Sequence, residues 1–310
     1  MKLIVSSSPH ITGKDSSRSI MLNVIIALLP ALAASAVVFG PRAIMLTVVT
    51  AAACVAFEYL YERVMKQPCT IGDLSAVVTG MLLAFNLPST VPFWMAIVGA
   101  FFAIVVVKQL FGGIGFNFVN PAIAGRIILA TSFTGAMTKF VFPTSFSGAD
   151  ALAAATPLAA NAAGAFAQGG APYLDMFLGT TGGVLGETSA VALLIGFIYL
   201  VVTKTISPVV PVTYIATVAV FAALLGQDPL VHVLGGGLML GAIFMATDYV
   251  TSPYTAKGKL IFGVGLGVIT VMIRVFGSMT EGVSYAILLM NLLVPYINRA
   301  SRQKPLGGKK

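Results

Sequence analysis

The chain has 310 residues, of which 58% are hydrophobic and only 9% are charged, and its formal net charge is +8. Soluble proteins carry about 25% charged residues, and the deficit here extends along the whole chain, which excludes a soluble enzyme with one membrane anchor. Two cysteines, Cys54 and Cys69, are too few for a zinc site or an iron–sulfur cluster within the chain. We therefore expect a polytopic, all-α integral membrane protein.

Ten apolar segments approach the length of about 20 residues that a membrane helix requires. They cover residues 20–40, 43–62, 74–87, 93–111, 118–136, 187–206, 209–226, 231–247, 258–275 and 282–298. The third and the eighth are short. Short segments at corresponding places in two halves are typical of interrupted helices beside a midplane site, and misplaced boundaries explain their length equally well.

The positions of the basic residues predict the orientation. With the N-terminus in the cytoplasm, 14 of the 18 lysine and arginine residues lie on the cytoplasmic side, Lys108 among them. Arg42 and Lys139 lie on the opposite side, and Arg126 and Arg274 fall inside spans. Because basic loops favour the cytoplasm, the net positive charge indicates orientation and not a nucleic-acid partner. We expect both termini to be cytoplasmic.

The two halves share three short matches that occur in the same order. They pair residues 77–83 with 238–244, 111–113 with 276–278, and 28–30 with 209–211. Each match is weak, and only their order has weight. Five spans per half is an odd number, so the halves have opposite topology, and sites in such inverted repeats lie between the halves.

These boundaries divide the chain into five parts. They are an N-terminal leader (1–19), a first membrane repeat (20–137), an extracytoplasmic loop (138–186), a second membrane repeat (187–298) and a basic cytoplasmic tail (299–310). Loops as long as the central one are usually functional or disordered.

The central loop contains the run Asp-Ala-Leu-Ala-Ala-Ala-Thr, from Asp150 to Thr156, followed by Pro157. It resembles the flavinylation motif of RnfD and NqrB subunits, in which an Asp stands six residues before a Thr that follows an Ala. Ala153 and Ala154 depart from that motif, which commonly has Ser or Thr, then Gly. The resemblance implies that a flavin transferase links FMN to the Thr156 hydroxyl through a phosphodiester bond. The competing interpretation is that Thr156 caps a helix that begins at Pro157.

Three further segments resemble the same family in the same order. They are the leader residues 7–11, the Gly-Gly and Asn-Pro-Ala signature within 112–126, and Met-Ala-Thr-Asp at 245–248. The short leader favours RnfD over NqrB. The resemblance implies about ten transmembrane helices as two inverted five-helix repeats, a fold that resembles urea-type channels.

The resemblance also implies a function. RnfD is a membrane subunit of a bacterial or archaeal cytoplasmic-membrane complex, a translocase that couples ferredoxin/NAD electron transfer to Na⁺ or H⁺ translocation. Its implied partners are RnfA, RnfB, RnfC, RnfE and RnfG, the flavin transferase and the lipid bilayer. The alternatives are the NqrB-type subunit of a Na⁺-pumping quinone reductase, a flavin-free urea-type solute channel and a passive scaffold. We expect no catalytic side chain and no metal site, because the flavin carries the redox step.

A second flavin site is expected in the membrane core. A charged residue inside a span indicates function by default, and Arg126 follows the Asn-Pro-Ala signature. We expect a noncovalent riboflavin site, shaped by Gly112, Gly113, Asn117, Asn120 and Arg126. The alternative is a purely structural role, in which the glycines permit close helix packing and Arg126 pairs with a carboxylate, either Glu187 or Glu281.

Other polar residues are open to more than one interpretation. Arg274 occupies the region of the second half that corresponds to Arg126. Five carboxylates near span ends are candidates for binding sodium or relaying protons, or are ordinary solvated charges: Asp73, Asp228, Asp248, Glu187 and Glu281. Neither His10 nor His232 is near a nucleophile in the sequence, and we expect His232 to be a capping or interfacial residue.

Overall fold

A computed structural model describes residues 16–140, 156–162, 173–187, 189–277 and 282–302. Within these ranges the chain is helical and forms no β-sheet, with one isolated antiparallel bridge between Pro88 and Val184. The leader motif at 7–11, Asp150 and Glu281 lie outside the described residues.

Residues 16–140, the described part of the first half, form six helices. They are α1 (Ser17–Phe39), α2 (Pro41–Val64), α3 (Ser75–Phe85), α4 (Phe93–Phe101), α5 (Pro121–Ser132) and the short α6 (Thr134–Met137). A 3₁₀ turn, Ile71–Asp73, precedes α3. The last helical turns after α4 are a π-helical stretch, Phe102–Lys108, and a 3₁₀ turn, Gln109–Phe111.

The described residues between the halves include two short helices, α7 (Pro157–Ala162) and α8 (Tyr173–Leu178). The second half contains α9 (Ala190–Val202), α10 (Val209–Leu224), α11 (Pro229–Leu234), α12 (Leu238–Leu240), α13 (Ala256–Phe276) and α14 (Val283–Ala300). A π-helical stretch, Gly241–Met245, continues α12.

Each of the ten predicted spans overlaps a helix, although several helices extend beyond the predicted bounds. In the part of the chain that the structure describes, five helical segments are long and apolar enough to cross a membrane: Ser17–Phe39, Pro41–Val64, Phe93–Phe111, Ala256–Phe276 and Val283–Ala300. Four shorter apolar helices accompany them: Ser75–Phe85, Pro121–Ser132, Ala190–Val202 and Val209–Leu224. The chain is therefore a multi-pass membrane protein.

Local sequence explains where several helices begin. Ser16 and Ser19 form a capping box at the start of α1, which satisfies otherwise unpaired amides of the first turn. Gly40 alone separates α1 from α2, with φ +73°, a conformation that glycine adopts without steric cost. Pro41 then takes the first position of α2, where a missing N–H costs nothing.

The eighth predicted span is broken. Gly235, Gly236 and Gly237 separate α11 from α12, and the last two have φ values of +69° and +68°. A side chain at these positions would strain the backbone. The prediction of an interrupted segment in the second half is therefore confirmed at this place.

The core joins the two halves. The largest cluster of buried apolar side chains draws on α1 to α5 and on α9 to α14, including Phe85, Tyr214 and Phe262. Helix α1 packs against α9, and α5 packs against α14, so helices of the two halves are in direct contact. Sites between the halves are therefore bounded by residues from both.

Candidate functional site

A cavity of about 290 Å³ lies between the two halves. Its polar lining comes from Ser75 and Thr79 on α3, Lys108, Asn117, Asn120, and Thr247 with Asp248. Its apolar lining includes Leu82, Leu200, Ile206 and Phe244. Mixed walls of this kind, mostly apolar with a few convergent polar groups, are typical of sites for small molecules and cofactors.

Asn120 forms part of this cavity and also holds the halves together. Its side-chain oxygen accepts hydrogen bonds from the amides of Ala122, at 3.0 Å, and Ile123, at 3.3 Å, which makes it the N-cap of α5. Its side-chain nitrogen donates to the carbonyl of Met245 in the second half, at 3.3 Å. The Asn-Pro pair is thus explained as a helix start that also connects the two halves of the chain.

The five residues of the expected riboflavin site do not all lie together. Asn117 and Asn120 line the cavity. Gly112 and Gly113, with φ values of +116° and +87°, end the 3₁₀ turn after α4 and are not among the lining residues. Arg126 is buried further along α5, where it donates a hydrogen bond to Ser284 on α14. Its expected pairing with Glu187 or Glu281 stays a prediction.

A buried ion pair that was not apparent from the sequence borders the cavity. Lys108 Nζ lies 2.8 and 2.9 Å from the two carboxylate oxygens of Glu58, and the two residues are 3% and 0% exposed. Gln109 donates to Glu58 at 3.0 Å, and Lys108 donates to the Ser75 hydroxyl at 2.6 Å. Lys108 was expected to be one of the basic charges on the cytoplasmic side; the structure shows a buried, paired residue.

This network extends to two more carboxylates. The Thr70 hydroxyl donates to Glu62, at 2.5 Å, and reaches Glu58 at 3.3 Å. The Asp73 carboxylate accepts from the amide and the hydroxyl of Ser75, at 2.7 and 2.6 Å. One signal could have indicated the cluster: Glu58 and Glu62 stand one turn apart in an apolar segment, so both face the same side of α2.

Thr156 begins α7 and is buried, with 6% of its surface exposed. Its hydroxyl oxygen accepts a hydrogen bond from the amide of Ala159, at 3.3 Å, and its carbonyl accepts from the amide of Ala160, at 2.9 Å. This is the geometry of an N-cap. The Thr156 hydroxyl therefore caps α7, whereas flavin attachment to it stays a prediction, and Asp150, its expected partner in the flavinylation motif, lies outside the described residues.

Leu158 packs helix α7 against the second half of the chain. Leu158, 4% exposed, packs in a small apolar cluster with Met176 on α8 and with Val231 and Leu234 on α11. Tyr173, at the start of α8, donates a hydrogen bond to Asp228, and this bond raises the pKa of the tyrosine. Helices α7 and α8 are thus both attached to α11.

Asp228 and Arg274 fix the two ends of α11. The Asp228 carboxylate accepts from the amides of Leu230, at 2.9 Å, and Val231, at 3.4 Å, and so caps the N-terminus. The buried guanidinium of Arg274 donates to the carbonyls of His232, Gly235 and Gly236 at the C-terminus, at 2.5, 3.0 and 3.0 Å. The carbonyl bonds of Arg274 support the bend between α11 and α12.

Comparison with known proteins identifies the family. A model of the NQR2, RnfD, RnfE family matches residues 4–307, nearly the whole chain. The chain belongs to this family. The resemblance predicted from the Asn-Pro-Ala signature and the loop motif is confirmed.

Relatives of the NQR2, RnfD, RnfE family match at full length. The D subunit of the Na⁺-translocating ferredoxin:NAD⁺ oxidoreductase complex of Acetobacterium woodii is 50% identical over 311 residues, covering 99% of this chain and 96% of the relative. The D subunit of the proton-translocating ferredoxin:NAD⁺ oxidoreductase complex of Clostridium ljungdahlii is 40% identical, over 99% of this chain and 96% of the relative. The D subunit of an ion-translocating oxidoreductase complex from Erwinia tasmaniensis is 33% identical over 100% and 99% of the two chains. The named ion differs between the first two relatives.

Proposed function

We propose that the chain is the RnfD subunit of an ion-translocating ferredoxin:NAD⁺ oxidoreductase complex, a translocase, and that it carries flavin. The observation that carries this proposal is 50% identity over 99% of the chain to a protein named as that subunit. Its partners would be RnfA, RnfB, RnfC, RnfE and RnfG, in a bacterial or archaeal cytoplasmic membrane with both termini in the cytoplasm. Either Na⁺ or H⁺ is compatible, because relatives at 50% and 40% identity are named for different ions.

The proposed architecture is two inverted five-helix repeats. The packing of α1 against α9 and of α5 against α14 supports it, since these helices correspond to the first and the fifth predicted spans of their halves. A second similarity between the halves is the backbone conformation of the residue that precedes α3 in the first half and α12 in the second. Leu74 before α3 and Gly237 before α12 both have left-handed conformations, with φ values of +66° and +68°. The proposed urea-channel-like fold would place the cavity between the repeats.

Thr156 would carry FMN through a phosphodiester bond. In the maturation reaction, a bond forms between Thr156 Oγ1 and the flavin phosphorus of a flavin dinucleotide donor. The bond from that phosphorus to the leaving nucleotide breaks, and the hydroxyl proton passes to a base on the transferase. FMN then supplies one- and two-electron redox chemistry. Thr156 supplies a hydroxyl nucleophile in the loop that is predicted to be extracytoplasmic. In the structure this hydroxyl is buried and caps α7.

A second, noncovalent flavin would bind between the repeats. Asn117, Asn120 and Asp248 offer both donors and acceptors to the edge of a flavin ring system, and Leu82 and Phe244 offer apolar contact to its faces. The volume, about 290 Å³, lies at the lower end of the range of about 300–1,000 Å³ usual for such pockets. Riboflavin is our proposed ligand for this cavity.

Two substitutions at one position test the proposed covalent flavin. Thr156→Ala removes the acceptor oxygen, and Thr156→Ser keeps a hydroxyl that also caps helices well. Each full-length chain is produced together with the flavin transferase, denatured and inspected for flavin fluorescence that stays with the polypeptide. We expect fluorescence in the parent chain and in Thr156→Ser, and none in Thr156→Ala. Fluorescence that persists in Thr156→Ala would place the attachment elsewhere, and a dark parent chain would favour the channel or scaffold alternatives.

A further inference from the structure

The Thr156 hydroxyl, which the proposed function assigns to flavin attachment, is buried and hydrogen bonded. Only 6% of Thr156 is exposed, and its oxygen is hydrogen bonded to the Ala159 amide within its own helix. A transferase must bring a phosphorus to this oxygen, which needs open space on one side of it. The modified residue would also carry a phosphate charge, and burying such a charge without a paired group is strongly unfavourable. The described position of α7 therefore suits only the unmodified chain.

Helix α7 is too short to be held by its own hydrogen bonds. A helix of six residues is marginal in isolation, so its position depends on packing. The buried contact that supplies this packing is Leu158, which meets Met176, Val231 and Leu234. Val231 is 0% exposed and belongs to the body of the second half, so it forms the floor of this contact.

The surface that receives Leu158 is formed at the glycine bend after α11. A Cβ atom added to Gly236 would lie 3.1 Å from Leu158 Cδ2 and in contact with the Arg274 guanidinium. The absence of a side chain at Gly236 thus leaves room for Leu158 on one side and Arg274 on the other. The hydrogen bonds from Arg274 hold the carbonyls of Gly235 and Gly236 in place, which keeps this surface rigid.

From these contacts we infer that Leu158 is a latch that holds α7 against Val231 and Gly236, and that α7 must leave this surface before flavin is attached to Thr156. The inference rests on the proposed function of Thr156. Leu158 acts here as a positioning residue, because it controls the exposure of Thr156 and does not contact the flavin donor. Weakening the contact from either side should raise the population of the open form and, with it, the rate of attachment.

Two substitutions weaken the latch from opposite sides. Leu158→Ala alters α7 itself, and Val231→Ala alters only the floor beneath it. Val218→Ala, a truncation of an equally buried valine in α10, is the matched control because it leaves α7 untouched. Each full-length chain is made without the transferase, placed in lipid nanodiscs and then mixed with transferase and flavin dinucleotide. The measurement is covalent flavin per chain against time.

We expect attachment on the order of tenfold faster in Leu158→Ala and Val231→Ala, and unchanged in Val218→Ala and in the conservative Leu158→Met. Unchanged rates in both latch variants would overturn the inference. A slower rate in Leu158→Ala with no change in Val231→Ala would also overturn it, because Leu158 would then be a contact for the transferase.

A second measurement separates this inference from the proposed function. Thr156→Cys in a Cys69→Ser background is labelled with a soluble maleimide, which reports exposure without any flavin. Cys69 is exposed and Cys54 is buried, so removing Cys69 lowers background labelling. Faster labelling after Leu158→Ala supports the latch whether or not flavin attaches at Thr156. If no variant accepts flavin at Thr156, the proposed function fails; if all accept it equally fast and label equally fast, only the latch fails.

Discussion

At the scale of single residues, the largest difference from expectation is Lys108. A basic residue at the end of an apolar segment was predicted to lie with the cytoplasmic charges, yet its ammonium group is paired with Glu58 inside the protein. Charge counting assigns a side of the membrane, whereas burial depends on which helix packs beside the residue. The partner lies 50 positions away, so neither local pattern nor spacing identified the pair.

The Glu58–Lys108 pair should respond differently to single and double substitution. Breaking a buried pair from one side leaves an uncompensated charge, which costs about 3–5 kcal/mol, whereas replacing both partners is close to neutral. We expect Lys108→Met to lower the thermal unfolding temperature sharply in detergent, and Lys108→Met combined with Glu58→Gln to recover most of the loss. Lys66→Met, at an exposed position, is the control and should change little. Equal losses in the single and double variants would contradict the buried pairing.

Asn120 combines two roles that substitution can separate. Asn120→Ser keeps an oxygen that can cap α5 but loses the donor to the Met245 carbonyl, and Asn120→Ala loses both. Because an N-cap contributes about 1 kcal/mol, we expect Asn120→Ala to be less stable than Asn120→Ser by about that amount, measured as the unfolding midpoint in detergent. Identical midpoints would show that the capping bonds to Ala122 and Ile123 do not stabilise α5.

At the scale of helices, the lengths of the apolar segments predicted the positions of the helices well. They did not predict where a helix departs from α-helical geometry. The first predicted span, 20–40, corresponds to Ser17–Phe39, and the ninth, 258–275, corresponds to Ala256–Phe276. The π-helical stretches Phe102–Lys108 and Gly241–Met245 were not predicted. Composition carries no signal for a π-helix, whereas the short length of the eighth apolar segment did indicate an interruption, which the structure shows at the three glycines before α12.

Close packing of α4 and α5 depends on Gly125. A Cβ atom added there would lie 2.9 Å from the carbonyl oxygen of Gly99, a backbone atom that cannot rotate away. We expect Gly125→Ala to destabilise the protein by about 1–3 kcal/mol through overpacking, read as a lower thermal unfolding temperature. Gly135→Ala in α6 is the matched control, since nothing lies within 4 Å of its added Cβ. A parent-like melting temperature for Gly125→Ala would show that the two helices are not in such close contact.

At the scale of the whole molecule, composition predicted a multi-pass helical membrane protein, and the helices confirm it. The packing of α1 on α9 and of α5 on α14 is a tertiary feature that the three weak sequence matches did not predict, and the inverted repeat stays a prediction. Two of the five residues expected to shape a riboflavin site, Asn117 and Asn120, line the cavity, and the riboflavin site itself stays a prediction. The sequence marked Asp248 only as a candidate for binding sodium or relaying protons, and its place beside Asn117 and Asn120 depends on tertiary packing.

The proposed orientation places the native Cys69 and the loop helix α8 on opposite sides of the membrane. Leu174 on α8 is 75% exposed, so Leu174→Cys in a Cys69→Ser background provides a single reporter on the loop. We expect an impermeant maleimide to label this introduced cysteine in intact spheroplasts and to reach Cys69 of the parent chain only in inside-out vesicles. Labelling of both thiols from the same side would contradict the inverted arrangement of the repeats.

The central claim is that this chain carries flavin on Thr156. The most direct measurement is the mass of the peptide that contains Thr156, from the full-length chain produced together with its complex and the flavin transferase. We expect the peptide to be heavier by FMN less one water, and fragmentation to assign this mass to Thr156. An unmodified Thr156 peptide, in a host whose transferase modifies other proteins, would contradict the claim.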